Sequence, residues 1–136
     1  MSAAIFSFFG IIIGALLQYL FTRHLDNQKH RRDLRAKSYT DYLNCVCEHA
    51  NLARRQLQKS GELFVKTADA KARICLYGSP ETVRAFAVFE KLGATMNTPE
   101  QRAAFTSMVA VMRSDSGGDD KVKLKDLEVV LLGVHD

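Results

Sequence analysis

The chain has 136 residues and a mass of 15.2 kDa, and 47% of its residues are hydrophobic and 25% charged. This length and composition are typical of one domain and exclude collagen-like, disulfide-scaffold and fully disordered proteins. The mean hydropathy of -0.10 averages two unlike segments, because residues 1–22 carry none of the charged side chains. The chain therefore divides into an apolar N-terminal segment and a polar remainder.

The N-terminal segment is long and apolar enough to be a transmembrane helix. At about 1.5 Å per residue, residues 3–22 span the roughly 30 Å hydrocarbon core of a bilayer. The alternative, a cleaved signal peptide, requires a basic start and a small-x-small cleavage site. The first basic residue is Arg23, and residues 18–21 do not form such a site. We therefore predict an uncleaved membrane anchor over residues 1–22.

A basic segment follows the anchor directly. Residues 23–37 carry six basic and two acidic side chains, whereas residues 38–136 carry thirteen of each. The formal charge of +4 thus lies next to the predicted membrane. The positive-inside rule then places the C-terminal part in the cytoplasm and the N-terminus outside. We predict that residues 23–37 are a basic stalk whose membrane-surface collar consists of Arg23, Lys29, Arg31, Arg32, Arg35 and Lys37.

One face of the predicted membrane helix carries small and polar residues. At about 100° per residue, Ser7, Gly10, Gly14 and Gln18 share this face, opposite Ile, Phe and Leu side chains. Gly10 and Gly14 have small-xxx-small spacing, which lets two helix backbones approach closely, and Gln18 is costly when it faces lipid. We predict that these four residues form an oligomerisation face. The alternative is that the same face lines a pore.

The polar remainder predicts helices. Residues 23–59 contain no Gly or Pro and predict one long helix, whose apolar stripe is Tyr39, Leu43, Val46, Ala50, Ala53 and Leu57. A second helix is predicted over residues 62–77 and offers the apolar residues Leu63, Phe64, Ala70, Ile74 and Tyr77. Gly78 is predicted to end it as a left-handed cap.

Two capping signals predict the next helices. Ser79 and Thr98 each precede a proline, and Gln101 completes a capping box with Thr98. The apolar residues that follow at helical spacing are Ala85, Val88, Phe89 and Leu92 in one helix and Phe105, Met108, Val109 and Met112 in the other. Residues 114–120 have the composition of a loop. A last helix is predicted from about residue 124 to 132, ending at Gly133.

The predicted fold class is all-α, because no segment alternates with a period of two for long enough to be a strand. Residues 122–125, V-K-L-K, are the only stretch that could be mistaken for one. We predict one N-terminal transmembrane helix that continues into a long helix, followed by a compact cytoplasmic helical bundle over residues 38–136.

The pattern of reactive residues predicts no catalytic residue, cofactor or metal. The cysteines and histidines lack metal-ligand spacing, and Asp115, Asp119 and Asp120 lack the order of a calcium loop. An RNase arrangement would require Arg23 and His30, which lie beside the predicted membrane. The pI of 9.1 does not indicate a nucleic-acid partner, because residues 38–136 are neutral and lack a broad basic face.

Four sequence motifs resemble a widespread group of small bacterial proteins. They are Y-T-D-Y-L at residues 39–43, L-Y-G-S-P-E-T-V at 76–83, M-R-S-D at 112–115 and D-L-E-V-V-L-L at 126–132. In that group a lone N-terminal membrane helix precedes a helical domain with L-Y-G-S-x-E-V-V and M-R-x-D. Thr82 stands where the group has Val. For Tyr77, Gly78, Arg113 and Asp115 we predict structural roles, with Tyr77 in the core and Arg113 pairing with Asp115 or another helix.

More distantly, the chain resembles the membrane accessory protein of type VI CRISPR systems. The resemblance lies in the order of one N-terminal membrane helix and a small helical domain. In that family the protein forms a ring-like pore that impairs the bacterial inner membrane during phage defence. The resemblance implies a non-enzymatic, homo-oligomeric membrane effector in the lipid bilayer. The alternatives are a membrane-tethered adaptor that binds a cytoplasmic protein and, third, a membrane-anchored RNase.

Overall fold

The computed structural model of the chain describes residues 2–55, 58, 61–119 and 121–133. Of the described residues, 85% are helical and none lies in a strand. The five helices are α1 (Ser2–Arg54), α2 (Gly61–Tyr77), α3 (Pro80–Lys91), α4 (Pro99–Asp115) and α5 (Leu124–Leu132). The all-α prediction is confirmed, and the V-K-L-K stretch leads into α5 rather than into a strand.

Helix α1 is 53 residues long and begins with an apolar segment. An 18-residue window of this helix has a mean hydropathy of 2.1, and none of that window is buried. By length and composition, α1 can therefore cross a membrane. Its helical course ends at Arg54, and the predicted continuation through Leu57 and Lys59 lies outside the described residues. The chain divides into two compact units, Met1–Arg32 and Asp33–Asp136.

The unit Asp33–Asp136 has its own apolar core. Aromatic contacts within this core join different helices: the rings of Tyr42 and Phe86 have centroids 4.9 Å apart, and those of Phe89 and Phe105 are 5.4 Å apart. Such pairs contribute about 0.5–1.5 kcal/mol beyond the area they bury. The buried core cluster consists of Tyr39, Tyr42, Ala70, Ile74, Phe86, Phe89, Phe105, Met108 and Met112.

The helical spacing predicts the core of α4 better than that of α2 and α3. Phe105, Met108 and Met112 are buried as expected. In contrast, Phe64 and Val88, both predicted for the apolar faces, are exposed, and Phe86, which the spacing does not select, is buried. Leu63 and Phe89 are buried as predicted. In both helices several apolar residues lie next to one another in the sequence. Spacing alone does not determine which of them faces the core.

The capping signals at both prolines are confirmed. The Ser79 hydroxyl accepts a hydrogen bond from the Thr82 N–H at 3.2 Å, and Thr98 and Gln101 form the reciprocal capping box. Gly133 ends α5 in the left-handed conformation with φ of 64°. The loop predicted to begin at residue 114 begins two residues later in the structure. Ser114 and Asp115 belong to α4, whose C-cap is Ser116.

Gly78 is not the left-handed cap that the sequence predicts. Positive φ angles among the described residues occur at Gly93, Ala94, Gly117 and Gly133. Gly78 is needed for space instead, since a Cβ at this position lies 2.5 Å from the Ile74 carbonyl oxygen and 3.4 Å from the Tyr39 hydroxyl. Its N–H donates to that carbonyl at 2.8 Å. The glycine therefore leaves room for the Ile74 carbonyl of α2, whereas the Tyr39 hydroxyl of α1 lies at ordinary contact distance.

We expect Gly78→Ala to lower the free energy of unfolding by about 1–3 kcal/mol, because the new methyl group overlaps backbone that has no room to move. Urea unfolding of the full chain, followed by circular dichroism, measures this change. Gly61→Ala is the matched control, since a Cβ there has no atom within 4 Å. Equal stability of the two variants would contradict the steric explanation.

Candidate functional site

The predicted oligomerisation face lies entirely within α1. Ser7, Gly10, Gly14 and Gln18 are spaced three and four residues apart, which places them on one side of a continuous helix, and all four are exposed. Nothing lies within 4 Å of a Cβ built at Gly10 or Gly14. Contacts within the chain therefore do not explain why these two positions are glycine.

The predicted collar contains one residue that differs from the others. Arg23, Lys29, Arg31, Arg32 and Lys37 are exposed, whereas Arg35 is partly buried. The Arg35 Nε donates a hydrogen bond of 2.5 Å to the carbonyl of Tyr77 at the end of α2. Its Nη1 lies 3.5 Å from the Asp115 carboxylate at the end of α4. Arg35 thus joins three helices of the unit Asp33–Asp136.

Tyr39, one turn after Arg35, is the centre of a polar network inside this unit. The network, here called the Tyr39 cluster, comprises Arg35, Tyr39, the Tyr77 carbonyl, Ser79, Thr82 and Asp115. Tyr39 is only 3% exposed. Its hydroxyl donates to the Asp115 carboxylate and accepts from the Ser79 N–H at 3.3 Å. The Ser79 hydroxyl also contacts the Thr82 hydroxyl at 3.0 Å.

The protonation of Tyr39 suits this arrangement. Burial raises the pKa of the phenol above its ordinary value, and the hydrogen bond to Asp115 raises the pKa further. The neutral phenol therefore keeps its proton and donates a hydrogen bond to the carboxylate. A tyrosine with a raised pKa is a weak acid, and its carboxylate partner is already engaged. The Tyr39 cluster thus joins α1, the α2–α3 connection and α4 by hydrogen bonds.

Asp115 occupies an unfavourable place in its own helix. It is the last residue of α4, where the helix macrodipole disfavours a negative charge, and its side chain is only 14% exposed. The contacts with Tyr39 and Arg35 compensate for both costs. Arg113 does not pair with Asp115 as one alternative predicted, but lies 3.7 Å from Asp119. Tyr77, predicted for the core, is only partly buried.

The Tyr39 cluster unites three of the four motifs that carry the family resemblance. Tyr39 comes from the first motif, Ser79 and Thr82 from the second, and Asp115 from the third. An open pocket of about 480 Å³ lies beside the cluster and is lined by Ser79, Glu81, Ala110, Val111, Ser114 and Asp115. The sequence offers one signal for this site, which is an acidic residue at the C-terminal end of a helix.

The reactive side chains do not assemble a metal site. In the described parts of the chain, no three His, Cys, Asp or Glu residues are grouped so that they could hold a metal ion. Cys45 is buried, Cys47 and Cys75 are exposed, and none of them forms a disulfide. Arg23 and His30, the pair considered for RNA cleavage, are both exposed on α1. Asp120 and His135 lie outside the described residues.

An apolar cleft runs beside the last turns of α1. One part, between α1, α4 and α5, has a volume of about 440 Å³. A neighbouring part of about 560 Å³ lies between α1, α2 and the α3–α4 loop, and the two share Val46, Ala50 and Met96. Helix α5 forms one wall but contributes no buried residue, and its Val130 is 82% exposed.

Comparisons of the chain with protein-family models, curated proteins and solved structures give no significant match. Functional arguments therefore rest on the residues themselves.

We expect Tyr39→Phe to lower the free energy of unfolding by about 1–3 kcal/mol, because the change leaves a buried carboxylate oxygen and the Ser79 N–H without their partner. Chemical unfolding of the purified full chain measures the loss. Tyr77→Phe removes a hydroxyl but keeps the Tyr77 carbonyl that accepts from Arg35, so it serves as the control. If Tyr39→Phe and Tyr77→Phe are equally stable, the Tyr39 hydroxyl does not hold the helices together.

Proposed function

We propose that the protein is a non-enzymatic, single-pass protein of the bacterial inner membrane that oligomerises and forms a pore or otherwise disturbs the bilayer in antiphage defence. The observation that carries the proposal is the unburied apolar segment of α1, where Phe6 is 76% and Ile11 is 69% exposed. Apolar surface in water costs about 25 cal/mol per Å², so this segment needs an apolar environment. A lipid bilayer provides one.

The stripe of small and polar residues supports self-association within that bilayer. Lipid tails are as apolar as Leu, so membrane helices associate through close backbone packing and polar contacts. Gly10 and Gly14 have open space where a side chain would lie, and a second helix can occupy it. Gln18 gains a polar partner or a wet lumen in such an assembly. The stripe therefore serves as the helix interface or as the pore lining.

The charge pattern supports the orientation with the N-terminus outside and a helical bundle in the cytoplasm. Five collar residues are exposed and free to meet anionic headgroups, each contributing about 1 kcal/mol near the surface. The first of them is Arg23, and no basic side chain precedes the apolar segment. The asymmetry satisfies the positive-inside rule.

The native cysteines allow this orientation to be tested. We expect Cys47 and Cys75, both exposed on the helical unit, to resist a membrane-impermeant maleimide in intact spheroplasts and to react once the membrane is permeabilised. A Ser2→Cys variant should react in intact spheroplasts and acts as the positive control. Labelling of Cys47 or Cys75 before permeabilisation would mean that the helical unit lies outside the cell, opposite to the proposed orientation.

The assembly is tested by filling the small-residue face. We expect Gly14→Leu to remain in the membrane fraction, because the change raises hydrophobicity, but to yield smaller species in size exclusion and crosslinking. Dye release from liposomes that contain the full chain should fall in parallel. Ile12→Leu alters the opposite face and is the matched control. If Gly10→Leu, Gly14→Leu and the double variant all keep the oligomer size of the wild type, the small-residue face does not mediate assembly.

A second candidate, a membrane-tethered adaptor for a cytoplasmic protein, is favoured by the surface of α5. This helix leaves Leu124 and Val130 exposed at 52% and 82%. Exposed apolar side chains on one short helix are typical of a site that binds a partner. The Gly14→Leu variant separates the candidates, because a simple tether keeps its size and causes no dye release before or after the change.

A further inference from the structure

Among the described residues, Arg102 is the one basic residue on the wall of the 440 Å³ part of the apolar cleft. It is the fourth residue of α4, and its neighbours on that wall come from α1, α5 and the α3–α4 loop. Its Nη1 donates to the Asn97 carbonyl at 3.3 Å. Its Nε is buried and has no hydrogen-bond partner among the described residues.

This arrangement leaves the guanidinium with an unmet requirement. A buried N–H without an acceptor costs free energy, and the macrodipole disfavours a cation in the first turn of a helix. None of the described residues that line this part of the cleft is acidic, and no described carboxylate lies within ion-pairing distance of Arg102. The buried Nε leaves no room for an atom from outside the chain, so an anion would meet the unpaired charge at the outer nitrogens of the guanidinium.

The rest of the wall suits apolar groups rather than an anion, because Leu43, Val46, Phe105 and Leu131 line it. The anion must therefore be one end of a molecule whose remainder is apolar. A volume of 440 Å³ lies within the roughly 300–1,000 Å³ range of small-molecule sites. A helix about 10 Å wide fills on the order of 400 Å³ per turn, so this space accepts a slender chain better than a partner helix.

We propose that this pocket binds a long-chain fatty acid, with its carboxylate on Arg102. The planar guanidinium offers N–H donors on its two outer nitrogens, Nη1 and Nη2, to the two carboxylate oxygens. The acyl chain lies against Leu43, Val46 and Leu131 and continues past Ala50 and Met96 into the neighbouring 560 Å³ part of the cleft. This site goes beyond the proposed function and does not depend on oligomerisation.

The test uses the full chain in amphipol and a photoactivatable palmitic acid that carries a diazirine on its acyl chain. After irradiation and proteolysis, mass spectrometry should find the probe on peptides that contain Met96 or Leu131. We expect Arg102→Met, which keeps most of the apolar stem, to lower this labelling about tenfold or more, since hydrogen bonds to charged groups are strong. Arg84→Met, at an exposed arginine of α3, should leave it unchanged.

A second variant closes the cleft without changing its charge. Ala50 is exposed but lines both parts, so Ala50→Trp blocks the acyl path without overfilling the core, and labelling should disappear. The methyl ester of the probe should label wild type and Arg102→Met equally and weakly. Labelling confined to residues 2–22, or cleft labelling that survives both Arg102→Met and Ala50→Trp, would overturn the site. Equal labelling by acid and ester would overturn the carboxylate assignment.

Discussion

The helical unit depends on one carboxylate that is placed against the preference of its own helix. Asp115 sits at the negative end of the α4 macrodipole, and its side chain is only 14% exposed. Only the donors that α1 brings to it, the Tyr39 hydroxyl and the Arg35 guanidinium, make this position favourable. The buried contact therefore selects one arrangement of α1 against α4. Alternative packings of the same apolar faces leave the charge unpaired, which is strongly unfavourable.

The same contact explains the backbone at the end of α2. The Tyr39 hydroxyl also accepts from the Ser79 N–H, so α1 lies against the α2–α3 connection, and Gly78 avoids a clash with the Ile74 carbonyl of α2. Arg35 takes the Tyr77 carbonyl, which a helix end otherwise leaves without an intrahelical partner. The connection between α2 and α3 is thus fixed by side chains of α1 that lie about forty residues earlier in the chain.

Local signals predict the helices and their starts, whereas the Tyr39 cluster follows from long-range contacts. Hydrophobic spacing, Ser79-Pro80 and Thr98-Pro99 are properties of neighbouring residues, so the sequence reveals them. The meeting of Tyr39 with Asp115 spans 76 positions and depends on how four helices pack. Arg35 is an example. Its position in a basic segment predicts a role at the membrane surface, whereas its contacts with the Tyr77 carbonyl and Asp115 depend on the tertiary structure. The function of the stripe in α1 likewise depends on molecules outside the chain.

Helix α5 is nine residues long and buries none of them, so its detachment from α4 costs little compared with unfolding the core. Its Leu131 and Leu132 nevertheless close one side of the apolar cleft. We expect opening of this helix to admit solvent to the cleft while Tyr42, Phe89 and Met108 stay packed. In hydrogen exchange, α5 should then be the fastest-exchanging helix of the unit Asp33–Asp136.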